Sequence, residues 1–204
     1  MKRWVVVPVK RFSVAKSRLS PALPARQRRK LARMLLEHTL TALVRLKGID
    51  GILVVSKDRA VPAIAGKYGA DFVREGKCDG LNRALARAED EAVRRGAEAI
   101  LVLPADLPLI RTRDLTQAVR LGHRKRFVVI APDRGEQGTN LLYFSPPGII
   151  KFSFGERSFK KHLQSARRKK IRVSVLRTSV LAQDIDRPED LSILRDPFQV
   201  PKPL

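Results

Sequence analysis

The chain has 204 residues, which suits one domain, and its hydrophobic fraction of 44% is ordinary for a globular protein with a sizeable core. Lys and Arg number 42 against 20 Asp and Glu, a formal net charge of +22, which favours anionic partners: nucleotides, nucleic acid or phosphorylated acids. The single cysteine, Cys78, excludes an intrachain disulfide and a cysteine-built zinc site, and no stretch approaches a membrane-spanning length.

A reduced, cytoplasmic setting is therefore expected. The apolar run in MKRWVVVPVK is too short for a signal peptide. His38, His123 and His162 are scattered without metal-ligand spacing and read as helix or surface residues rather than catalysts. The basic excess is spread through the chain, with concentrations at Arg26–Arg33, Arg120–Arg126 and Arg167–Arg172.

Arg3–Val9 (RWVVVPV) predicts a first buried strand. It breaks into a polar, basic loop holding Lys10, Arg11, Lys16 and Arg18, the place where nucleotide-binding α/β folds put their phosphate contacts. There is no GxGxxG and no Walker sequence, so side chains would supply more of the charge and backbone amides less. Plain solvent exposure is the alternative for Lys16 and Arg18. Pro24–Leu46 predicts a long helix, Pro24 in its first turn and Leu31, Met34 or Leu35, His38, Ala42 and Leu46 facing the core. Gly51–Val55, Val61–Tyr68 and Asp71–Arg74 then predict strand, helix and strand.

Gly76–Asn82 (GKCDGLN) is a polar turn opening a helix. Gly80 permits close approach of a flat ligand, and the Asn82 amide could read a base edge, against a plain turn and helix cap. Ile100–Leu103 predicts a buried strand that ends in Pro104, Asp106 and Pro108. A carboxylate just past the end of a buried strand sits where open α/β sheets bind ligands, and the prolines restrict it. Within a basic chain it suggests a Mg²⁺ ion serving a phosphate substrate; the alternative is a cap for the helix starting near Thr112.

Leu115–Leu121 continues that helix and Arg126–Ala131 predicts a strand. The polar loop Pro132–Asn140, ending in Gly138-Thr139-Asn140, is a candidate substrate loop before the apolar run Leu141–Phe144. Phe152–Phe159 leads into a basic helix, with Gly155 and Ser158 at an N-terminus whose free amides would suit an anion. Ile171–Leu176 reads as a strand, and Leu181–Leu194 as a strand end, two acids (Asp184 and Asp186) and a helix begun by a proline, with capping the alternative role for the acids. The alternation predicts an α/β fold with a mainly parallel sheet and helices on both faces.

PVK with AKSRLSP, GLN before a helix, LPADLPLI, GTN, FGERSF and DIDRPEDL occur in this order. Over about Val5 to Leu191 the chain resembles the CofC/FbiD family, guanylyltransferases of coenzyme F(420) biosynthesis within the MobA-like nucleotidyltransferases of GT-A fold. The resemblance implies one MobA-like nucleotidyltransferase domain over 1–196 and a C-terminal tail over 197–204. It implies transfer of GMP from GTP, with Mg²⁺, to the phosphate of phosphoenolpyruvate, 2-phospho-L-lactate or 3-phospho-D-glycerate, releasing pyrophosphate.

On this resemblance Lys16 and Arg18 hold the triphosphate with help from Lys10, Gly80 and Asn82 lie near the nucleobase, and Lys16, Arg18 and Asp106 carry catalysis. Asp106 is a metal ligand, with Asp186 ahead of Asp184 as a second. Thr139, Asn140, Gly155 and Ser158 receive the phospho-acid. This chain has SVAKSRL where MobA-type proteins carry a glycine-rich first loop. A homodimer and a hand-over of product to the next transferase are further partner expectations. The competing readings are a MobA-like transferase with another nucleotide or acceptor, and a basic nucleic-acid-binding protein. Aromatic residues at only 5% leave the latter few stacking platforms.

Overall fold

The computed structural model describes residues 1–76 and 80–194. Cys78 and the tail expected over 197–204 lie outside the described residues. Seven strands, β1 (Arg3–Val9), β2 (Gly51–Ser56), β3 (Asp71–Arg74), β4 (Ala99–Val102), β5 (Phe127–Pro132), β6 (Thr139–Ser145) and β7 (Val173–Val175), form one sheet in the order β3-β2-β1-β4-β6-β5-β7. The pairs β1–β2, β1–β4, β2–β3 and β5–β7 are parallel, while β6 runs antiparallel to both its neighbours. The predicted α/β architecture is therefore the observed one.

The central strands β1, β2, β4, β5 and β6 are largely apolar and buried because both faces are covered. Val5, Val7, Val54, Leu101, Val129 and Tyr143 pack on one side, in a core shared with α1 (Ala25–Val44), α2 (Val61–Lys67) and α4 (Thr112–Leu121). Trp4, Val6, Leu53, Ile100, Val128 and Phe144 pack on the other with α3 (Leu81–Arg94) and α5 (Ser158–Arg168). A third, smaller cluster joins Leu19, Leu23, Leu31 and Leu35 to Ile185 and Leu194. Each buried leucine there contributes about 1.5–3 kcal/mol, and together they dock the late chain onto the first loop and the start of α1.

Two local expectations are corrected. Pro24 is the N-cap of α1, one residue ahead of its first turn; it has an extended ψ of 156°, and its carbonyl accepts from Arg28 N at 3.0 Å. The strand end expected at Leu181 is a helical turn, α6 (Ser179–Ala182), because the Thr178 hydroxyl accepts from the Leu181 amide at 3.1 Å. The acids that follow lead into a 3-10 helix, Pro188–Ile193.

Topology gathers the chemistry at one edge. Strands β1, β2, β3 and β4 all finish at the carboxyl edge of the sheet, where such sheets bind ligands. Because β6 runs the other way, its first residues, Thr139 and Asn140, arrive at that same edge.

Candidate active site

The loop after β1 is pinned before it reaches the cleft. Asp58 accepts from Phe12 N at 2.7 Å, and Ala15 N donates to the Arg11 carbonyl at 2.8 Å. Lys16 then takes a left-handed backbone, φ 55°, ahead of a single 3-10 turn at Ser17–Leu19. That conformation costs a non-glycine residue about 1–2 kcal/mol and is kept where the surroundings impose it. Here they do: Leu19 is fully buried, and the Lys16 ammonium donates to Asp106 Oδ2 at 3.0 Å and to the Ile185 carbonyl at 2.5 Å. The Lys16 side chain is only 9% exposed, so solvent exposure is ruled out for it. Arg18 differs: its side chain, 69% exposed, reaches Asp186 but does not itself line the cleft.

Asp106 follows β4 through Leu103, whose amide donates to the Val6 carbonyl at 3.0 Å, and Pro104. It does not cap α4. Asp114 performs that task by accepting from Arg111 N at 3.0 Å. Nor does Asp186 cap the 3-10 helix, since Asp190 accepts from the amides of Asp186 and Arg187 at 2.9 and 2.7 Å. Both carboxylates are left to face the cleft. Asp184 is half-buried; burial first, and the like charge of Asp106 second, push its pKa up to about 6. The Asn140 side chain bonds it, and the Asn140 amide also donates to the Leu181 carbonyl at 2.9 Å.

The cleft has a volume of about 360 Å³, within the range of small-molecule sites. It brings together Lys10, Lys16, Gly80, Asp106 and Asp186 of the predicted residues, and adds Phe154. Asn82 stands beside it in an unexpected way. Its Nδ2 donates to the Phe154 carbonyl at 3.1 Å and its Oδ1 accepts from Phe154 N at 2.7 Å, so one N–H and one lone pair of the amide are held by a single backbone unit. The Phe154 ring meets the ring of buried His162 edge-on, with centroids 4.9 Å apart.

Thr139, Asn140 and Ser158 are buried and Gly155 is exposed. None of the four forms the wall of the cleft. Gly155 has φ +116°, which demands glycine. The expected free amides at the start of α5 are corrected in part, because Ser158 N and Phe159 N already donate to the carbonyls of Gly155 and Gln137. Sequence reading missed Phe154, Asp58, His162 and the Ile185 carbonyl. A backbone carbonyl has no side-chain signature, and the others acquire meaning only through distant partners.

The donor set suits a hard cation. Among the described residues no three His, Cys, Asp or Glu side chains gather to form a metal centre by themselves. Mg²⁺ commonly takes one or two carboxylates and completes its shell with water and substrate phosphate, which matches Asp106 and Asp186; the third acid on the wall, Glu75, is paired with Lys57 at 3.3 Å. The repulsion that raises Asp184 is also what a cation beside Asp106 would relieve. Chemically, the edge can neutralise polyphosphate. Among the described residues the cleft wall presents no histidine, serine or cysteine for nucleophilic catalysis.

Comparison with known proteins points the same way. The family described as "Guanylyl transferase CofC like" matches residues 3–195. The chain is 42% identical over 194 residues, 95% of its length and 93% of the relative's, to a phosphoenolpyruvate guanylyltransferase of Sphaerobacter thermophilus. It is 32% identical, over 94% of its length and 81% of the relative's, to a 2-phospho-L-lactate guanylyltransferase of Methanocaldococcus jannaschii. Among solved structures, a nucleotidyl transferase from Methanothermobacter shares the fold with a TM-score of 0.70 at 17% identity, covering 97% of each chain.

Proposed function

Because the chain belongs to the CofC-like guanylyl transferase family, we propose that it transfers GMP from GTP to the phosphate of phosphoenolpyruvate, in coenzyme F(420) biosynthesis. The observation that carries this reading is the convergence of Lys10, Lys16, Gly80, Asp106 and Asp186 on one cleft at the carboxyl edge of the sheet. Phosphoenolpyruvate is favoured over 2-phospho-L-lactate by the 42% identity to a relative named for the former against 32% for the latter.

The chemistry asks little of a general base, since the attacking phosphate oxygen is already ionised. It asks for two anions to be held together in line. Lys10 and Lys16 neutralise the triphosphate as the acceptor oxygen attacks the α-phosphorus and pyrophosphate leaves. Arg18, paired with Asp186, is able to exchange it for a phosphate oxygen. Asp106 and Asp186, with Asp184 behind them, would hold Mg²⁺, which supplies charge neutralisation at the reacting phosphates. Gly80 leaves room for the nucleoside: among the described residues a Cβ there would have no neighbour within 4 Å. Thr139, Asn140, Gly155 and Ser158 lie off the cleft wall with only Gly155 exposed, and would receive the acid beside it.

The test is pyrophosphate release from GTP and Mg²⁺ with phosphoenolpyruvate, 2-phospho-L-lactate and 3-phospho-D-glycerate in parallel, and with ATP and CTP as nucleotide controls. Turnover with GTP and phosphoenolpyruvate is expected. Turnover with another acid alone reassigns the acceptor, and turnover with CTP alone reassigns the nucleotide.

A further inference from the structure

His162 is buried on α5 and does not itself line the cleft. Its ring is nevertheless fixed at both nitrogens. The Ser153 amide donates to Nε2 at 3.0 Å. A backbone N–H can only donate, so Nε2 carries the lone pair and the ring proton of the neutral imidazole sits on Nδ1. Nδ1 lies 3.0 Å from the Thr139 hydroxyl and therefore donates to it. Burial, and then the charge of Lys161, lower the His162 pKa to about 4, so the ring stays neutral at working pH.

This fixes the polarity of Thr139. Its oxygen accepts from the ring, so its own proton is free to point elsewhere, and among the described residues it meets no acceptor. Thr139 stands at the carboxyl edge of the sheet beside Asn140, whose side chain bonds Asp184, itself within the field of Asp106. From the other side, the ring of Phe154 leans on the same imidazole and lines the cleft.

We propose that His162 is a positioning residue for the phosphorylated acid: it holds the Thr139 hydroxyl as an acceptor toward the ring, so that the hydroxyl proton is donated to an anionic oxygen of the acceptor. This rests on the reading that Thr139 contacts the acceptor. The imidazole also ties the Ser153–Phe154 segment to Thr139, so one side chain sets the distance between two sides of the acceptor end.

The test is steady-state kinetics with phosphoenolpyruvate, or whichever of the three acids supports turnover. His162→Leu keeps bulk and loses both hydrogen bonds. It should raise KM for the acid roughly tenfold to a hundredfold, the worth of a hydrogen bond to a charged group, and leave KM for GTP within about twofold. His162→Gln carries an acceptor and a donor on one amide and should recover much of the loss. Equal rises in both KM values, or no rescue by Gln, would reduce His162 to packing. Thr139→Val separates the two claims. An unchanged KM for the acid removes Thr139 from the acceptor site. A raised KM there, with His162→Leu silent, removes His162 alone. Long-range ¹⁵N NMR of the unaltered protein decides the tautomer even where a variant fails to fold. A bare Nε2 and a protonated Nδ1 at neutral pH are expected; an Nε2–H ring or an imidazolium overturns the proposal.

Discussion

A lysine in a left-handed backbone is an expensive way to place one charge, and Lys16 shows what the expense achieves. Its ammonium is 9% exposed and shared between Asp106 and the Ile185 carbonyl, so it cannot wander into solvent between turnovers. Lys16→Met should keep most of the packing of the stem and lower kcat/KM for GTP about a hundredfold, since the loss is that of one charge-assisted contact to phosphate. Titrating GTP against rate checks it, and an unaltered kcat/KM would leave Lys16 as a tether only. Asp106→Asn should cut turnover by about a thousandfold or more while the circular dichroism spectrum survives, because the amide keeps the shape and loses the charge that a divalent cation needs. Near-full rate in that variant would remove Asp106 from the metal site. The position of both residues just past a buried strand was legible in the sequence for a plain reason, though the burial of Lys16 was not. Asp106 follows an apolar run and is bracketed by prolines, and Lys16 follows the first such run. Asn82 was not legible in the same way, because the partner that claims its amide, Phe154, lies 72 residues away and offers only backbone atoms.

At the scale of the elements, α4 shows how tightly helix and sheet approach. Gly122 ends that helix, and a Cβ there would strike the rings of Tyr143 and Phe127, which pack edge to face with centroids 4.7 Å apart. Gly122→Ala should therefore destabilise the fold by about 1–3 kcal/mol through overpacking, read as a lower midpoint in urea at unchanged slope. A midpoint equal to that of the unaltered protein would mean that the rings yield. The central strands were readable as apolar runs because a sheet covered on both faces leaves no polar alternation there, whereas β7, at the sheet edge, was read from its alternation. The turn at Ser179–Ala182 was misread for the complementary reason. Four residues are too few to show a period, and the deciding contact is a threonine hydroxyl.

For the molecule as a whole, His162 links folding to pH. Unfolded, it titrates near 6.5; folded, burial holds it near 4. Between those values the unfolded chain binds a proton that the folded one refuses. The contribution is thus fully present above about pH 6.5 and is lost as pH falls toward 4, by about 3 kcal/mol at most at 1.36 kcal/mol per unit. Urea unfolding at pH 7 and pH 4.5 should show a smaller acid loss for His162→Gln than for the parent protein; parallel losses would assign the acid sensitivity to the carboxylates instead.

The tether between Lys16 and Ile185 spans 169 residues of chain. Synthesis is vectorial, so the ribosome delivers the first loop long before the carbonyl that will hold its ammonium, and β1 must likewise wait for β4 to take the place beside it. The nascent chain should therefore carry an open, unclamped first loop through most of its translation. Affinity for nucleotide would then emerge abruptly, once the segment around Ile185 clears the exit tunnel and Leu19, Leu23 and Leu31 close over it.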